Sequence, residues 1–283
     1  MRHADYIEEV ARTEPPERLR ALLVWAAGEE DLELVEPTSR AGLHPLVVPI
    51  ARGEEEMLGL LRWPTAPAGH PMPLVLAGRH MRLVSLSTDQ WLHRRLVTRD
   101  AMGEGIGGLG RACGDLYVEG ALAASALPLN AYLLLKVGGH ADLYEELAAA
   151  HLDRGDEMAA LVTADRATTA IPGWGSPLVF RMRLLSQLGR AQAAEEAAKV
   201  ALTEPVWTFG GPFERVARTA GWADVSSAPY RRLVEAVKLP LDRAAHLMDA
   251  VAVEGGDWDA CREPLAACYA EAGLDDIAAF VRA

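Results

Sequence analysis

Residues 141–205 read ADLYEELAAAHLDRGDEMAALVTADRATTAIPGWGSPLVFRMRLLSQLGRAQAAEEAAKVALTEP, and the spacing inside this stretch decides the fold. With Gly155 taken as position 15 of a unit, Tyr144, Leu147 and His151 fall at positions 4, 7 and 11. Ala148, Ala160 and Ala167 fall at 8, 20 and 27, and Pro172 at 32. Thirty-four residues further on, Gly189 takes the same place, with Leu178 at 4, Leu185 at 11, Ala194 at 20 and Ala201 at 27; Pro205 comes one residue early. A third set centres on Gly273, with Leu265, Ala266, Tyr269 and Ala278 in register.

This pattern resembles the tetratricopeptide repeat, a helical hairpin of 34 residues. The residue types have physical reasons. Small side chains at 8, 20 and 27 let two helices approach closely, and bulky ones fill the groove between them. Glycine at 15 permits the tight turn, and proline at 32 ends the second helix. Ala164 departs from the aromatic usual at position 24. Helices around Gly110–Gly120, Pro128–Val137 and Leu241–Val253 are expected to extend the stack less regularly. The groove of such a stack is its usual binding surface. Where some of these domains place Lys and Asn to grip a carboxylate, the first helix here carries Asp142, Glu145 and Glu146. A basic or apolar partner segment is therefore expected.

Upstream the texture differs. Ala4–Arg12 and the segment opened by Pro15-Pro16 (Leu19, Leu22, Leu23, Ala26) read as helices, the second stopping near Gly28. Short apolar runs then follow between turn formers: Leu46–Ile50, Met57–Trp63, Pro73–Ala77 and Met81–Leu86. They predict three or four small strands. Ser87-Thr88-Asp89-Gln90 has capping-box form and starts a helix to about Ala101. Gly103–Gly110 reads as a linker. The fold class is thus mainly α (α+β overall), with a small α/β region over 1–102 and a helical-hairpin stack over 103–283.

The formal net charge is −12, from 12 arginines against 15 acids in residues 1–102 and 16 basic against 25 acidic groups beyond. So acidic a surface argues against nucleic acid as a partner. No apolar run is long enough to span a membrane. Met1-Arg2-His3-Ala4-Asp5 leads into an acidic helix and does not look like a targeting segment, so the chain is expected to act where it is made or to be a processed form. Three sparse cysteines (Cys113, Cys261, Cys268) point to buried thiols in a reducing compartment.

Catalytic signatures are missing. Gly103-x-Gly105-x-x-Gly108 has dinucleotide spacing but follows a helix instead of a strand. His44, His70 and His80 could converge near the strands, yet no ligand pair sits at helical spacing, so neither cofactor nor metal is expected. Trp63, Trp174 and Trp207 lie in loops beside Pro or Gly, where tryptophan either caps a core or anchors an interface. With Asp142, Glu145 and Glu146 they form the set of candidate partner contacts.

Several stretches are similar to a nuclear-encoded family of plant and algal chloroplasts without an assigned activity. They include Leu60-Leu61-Arg62-Trp63-Pro64-Thr65-Ala66-Pro67, Leu133–Gly138, Gly155–Thr163, Ala201–Gly210 and Ala250–Asp259. Where the family reads Pro-Trp-Trp, this chain has Pro205-Val206-Trp207, and the family's transit peptide has no counterpart. The resemblance implies a stromal helical-repeat protein attached to a membrane-bound photosynthetic complex. On these grounds the chain is expected to be a non-catalytic scaffold, assembly factor or accessory subunit. The alternative is an enzyme with its site in the N-terminal α/β region.

Overall fold

A computed structural model describes residues 2–67 and 69–283; Met1, the head of the segment read for targeting, lies outside them. Two helices open the chain, α1 (His3–Glu9) and α2 (Leu19–Ala27). Five strands follow: β1 (Glu33–Leu34), β2 (Val47–Arg52), β3 (Met57–Leu61), β4 (Leu74–Ala77) and β5 (Arg82–Ser85). They pair antiparallel in the order β1-β2-β3-β4-β5. Four of them answer the four apolar runs. The fifth, β1, is a two-residue edge pairing Glu33 with Arg52 and Leu34 with Ala51, too short to leave a periodic signal.

The runs are continuous instead of alternating because both faces of this sheet are covered. Val48, Ile50, Leu58, Leu60 and Leu74 pack with Tyr6, Ile7, Leu22, Leu92 and Leu96 of the N-terminal helices. Val47, Met57, Leu61 and Val75 face Trp174, Trp207, Leu265 and Tyr269 from the far end of the chain. Each fully buried aliphatic side chain contributes about 1.5–3 kcal/mol before ordering entropy is subtracted. At Gly59 the strands pass so closely that a Cβ would lie 2.5 Å from Val47 Cγ1 and 2.8 Å from the Val48 carbonyl oxygen.

The capping box forms with one variation. Ser87 Oγ accepts from the Gln90 amide at 3.1 Å and starts α3 (Thr88–Ala101), while Gln90 Oε1 accepts from the Leu86 amide, one residue before the cap. The glycine-rich segment is no flexible spacer. Gly103 and Gly105 take left-handed angles that end α3, and α4 (Gly107–Cys113) then packs on α2 with Leu109 and Gly110 buried. Two short helices, α5 (Ala121–Ser125) and α6 (Leu129–Tyr132), follow, the second running on through a widened turn at Leu133–Val137.

The hairpins are α7 (Ala141–Asp153) with α8 (Glu157–Ala170) and α9 (Gly175–Gln187) with α10 (Ala191–Ala201). After a 3-10 turn at Val206–Thr208 come α11 (Phe213–Thr219), α12 (Ala228–Ala236), α13 (Pro240–Val253), α14 (Trp258–Glu271) and α15 (Asp275–Arg282). Gly155, Gly189 and Gly273 turn the α7–α8, α9–α10 and α14–α15 pairs at φ of 76°, 70° and 76°, angles open to glycine at little cost. The small residues do what the spacing requires: Ala148, Ala160, Ala167, Ala194, Ala201, Ala266 and Ala278 are all buried.

Candidate protein-interaction surface

Helical spacing builds one open groove. Glu145, Glu146, Ala149, Leu152 and Asp153 lie on one face of α7; Phe180, Arg183, Leu184 and Gln187 on one face of α9; Arg215 and Thr219 on α11. Each set follows the i, i+3, i+4, i+7 rule. The hollow they line measures about 870 Å³ and takes its described lining residues from α7, α9 and α11. Ala148, Phe180, Met182 and Leu184 form an apolar floor beneath charged rims.

The three acidic candidates fare differently. Asp142 is tied to α3, with Arg94 donating to its two oxygens at 2.8 and 2.5 Å. Burial works against its charge, but these bonds and the Arg94 charge hold its carboxyl below the usual range. Glu145 pairs with Arg183 across α7 and α9 at 3.0 Å. Glu146 is exposed and accepts from Asn130 Nδ2 at 3.4 Å. Asp153 and Arg215, which the sequence alone did not single out, stand exposed at the rims.

The three tryptophans meet at the centre of the molecule. Trp63 and Trp174 lie 5.3 and 6.2 Å from Trp207, ring centre to ring centre. Trp174 and Trp207 are buried, so their rings meet neighbours, not solvent; Trp63 is half-buried. His44 completes the cluster, 4.6 Å from Trp207 and 4.4 Å from Trp258. The Leu46 amide donates to His44 Nδ1, which puts the ring proton on Nε2. Burial, followed by the charges of Arg262 and Arg40, pushes its pKa down to about 3, so the ring is neutral.

Two arginines bind this centre together. Arg40 is buried and donates to the carbonyls of Val47, Pro45 and Phe280 and to the Tyr6 hydroxyl, its guanidinium 4.0 Å above the Phe280 ring. Burial lowers its pKa to about 10. Arg262 donates to the carbonyls of Arg40, Leu43 and Val281. Above the cluster a second hollow, about 480 Å³, opens between the β2–β3 and β4–β5 turns and the 206–214 loop. His44 and His80 both border it, whereas His70 lies apart beside Gly69 and Met72. Among the described residues no helix is long and apolar enough to cross a membrane.

A covered antiparallel meander, helical hairpins turned by left-handed glycines and an open charged groove define a helical-hairpin protein. The chain belongs to the PAB family: its residues 1–136 match the PAB N-terminal model, 141–226 the PAB middle domain and 235–283 the PAB C-terminal domain. A relative from Arabidopsis thaliana, "Protein IN CHLOROPLAST ATPASE BIOGENESIS, chloroplastic", is 38% identical over 303 residues, covering 99% of this chain and 90% of the relative. No solved structure matches the chain.

Proposed function

We propose that this protein is an assembly factor for a chloroplast ATPase complex, and that it holds a protein partner in the groove of α7, α9 and α11. The observation that carries the reading is the likeness to the Arabidopsis relative, which runs through 99% of the chain and so takes in groove, sheet and C-terminal hairpin alike. The groove supplies a physical means. Its floor is apolar, Glu145 is already neutralised by Arg183, and Glu146, Asp153 and Arg215 remain to read a partner's charges. Assembly needs binding that can be released, and an open polar-rimmed hollow suits transient contact better than a deep apolar one.

Complementation tests the proposal. Plants lacking the relative would receive this chain behind a chloroplast-targeting leader, and ATPase complex would be measured in their membranes. Restored complex, together with ATPase subunits co-purifying with the tagged chain, supports the reading. A chain that accumulates in the chloroplast without restoring the complex rules it out.

A further inference from the structure

Asp249 lies on α13 and is buried, 7% exposed. Its Oδ1 accepts from the Val206 amide at 2.7 Å, which fastens α13 to the 3-10 turn at Val206–Thr208. The turn passes the contact on. Thr208 Oγ1 donates to the Pro205 carbonyl at 2.6 Å and accepts from the Gly175 amide at 2.9 Å, where α9 begins. Phe209 fills the space beside Gly175, where a Cβ would come within 2.4 Å of its ring. One carboxyl thus anchors a turn that carries Trp207 into the central cluster and sets the start of a groove helix.

The carboxyl has little to support a charge. Among the described residues no cation pairs with it. From α12 it faces Tyr230, whose hydroxyl is pushed up by burial and then by Asp249 itself. His246 stands one turn back on α13, and Arg231 and Arg243 are taken up by Glu254 and Glu271. What α10 and α11 bring to this core is apolar: Ala197, Ala198, Phe213 and Val216.

We infer that Asp249 is a protonation latch: the Val206–Thr208 turn and the start of α9 stay closed over its buried carboxyl while it is neutral, and ionisation favours an opening that returns the charge to water. Burial pushes its pKa up to about 7, against the lowering effect of the Val206 bond. The sign follows from linkage. A group whose folded pKa is raised gives stability that is full below its unfolded value near 4 and is lost as pH climbs through the folded value. An opening that solvates Asp249 therefore becomes about ten-fold more populated between pH 6 and pH 8.

The test uses the full chain alone, so its outcome does not depend on the proposed assembly role. The Asp249 carboxyl carbon is titrated by 13C NMR, and exchange protection of the Val206 and Gly175 amides is measured at pH 6 and pH 8, corrected for the unstructured rate at each pH. The latch requires a carboxyl midpoint near 7 and a fall of about ten-fold in protection of both amides. Asp249→Asn, which keeps an acceptor oxygen without the charge, should show equal protection at the two pH values. A carboxyl titrating in the ordinary range overturns the inference, and so does a titration near 7 that leaves both amides equally protected. If the variant fails to fold, the wild-type measurements decide alone.

Discussion

The groove and the aromatic centre are built by opposite rules. In the groove, every lining residue is a helix neighbour of another at i, i+3 or i+4, and the turns between helices are set by glycine. In the centre, a loop of residues 40–47 is knotted to α14 and α15 by two arginines that each reach backbone carbonyls more than two hundred positions away, Phe280 for Arg40 and both Arg40 and Leu43 for Arg262. The first arrangement is local and repeats; the second is unique and depends on the chain closing on itself. The groove is accordingly tolerant and the centre brittle, and four tests measure by how much.

The largest effect falls on Arg40. Replacing it with Met keeps the stem but leaves the Val47, Pro45 and Phe280 carbonyls and the Tyr6 hydroxyl without their donor. Unsatisfied buried acceptors are costly, and denaturant unfolding should show a loss of about 3–5 kcal/mol. A loss under about 1 kcal/mol would mean the knot is ornamental and the comparison false. Arg40→Lys should fare little better, since an ammonium does not reproduce the guanidinium fork.

Two glycines give the next contrast. Gly59→Ala sets a Cβ against Val47 and the Val48 backbone inside the covered sheet, and overpacking of that kind costs about 2–3 kcal/mol. Gly155→Ala meets nothing within 4 Å. It pays only for its left-handed angle, about 1 kcal/mol. Equal losses for the two in thermal or denaturant melts would erase the difference between a packed centre and an open turn.

This division also explains what the sequence could tell. The hairpins were legible because position 15 glycines and the alanines at 8, 20 and 27 repeat at a fixed period, and each does a job its neighbours in sequence define. The strands were legible as apolar runs between turn formers. The knot was not. Arg40 and His44 sit in a loop whose residues carry no period, and their partners become neighbours only after folding. Likewise Trp63, Trp174 and Trp207 announced themselves as aromatics beside Pro or Gly, but that they meet one another is a property of the covered sheet. Gly103–Gly110 misled for a related reason: glycine lowers helix propensity, yet packing of α4 on α2 outweighs it.

A smaller effect is expected at Asp142. Its pair with Arg94 is half exposed, so Asp142→Asn should cost well under 1 kcal/mol at pH 7. Because the folded carboxyl titrates below its usual value, its contribution is present above the unfolded pKa and is lost as pH falls through the folded one. The difference between wild type and variant should therefore shrink in acid, below about pH 4. A gap that widens there would mean that Asp142 is held by something other than its charge.

The smallest effect on stability belongs to the groove rims, and it carries the most functional weight. Glu146 and Asp153 are exposed, and neither takes part in an ion pair among the described residues, so Glu146→Lys with Asp153→Lys should change unfolding free energy by no more than about 0.5 kcal/mol. The same pair reverses the charge along one rim while Arg215 keeps the other. If a partner reads this surface, reversal should weaken its capture by about ten-fold or more, an effect that grows at low salt. The melt and the co-purification then part company, which a purely structural role for the rim does not allow. Capture that survives double reversal unchanged, with the fold intact, moves the contact off the groove and toward the hollow above the tryptophans.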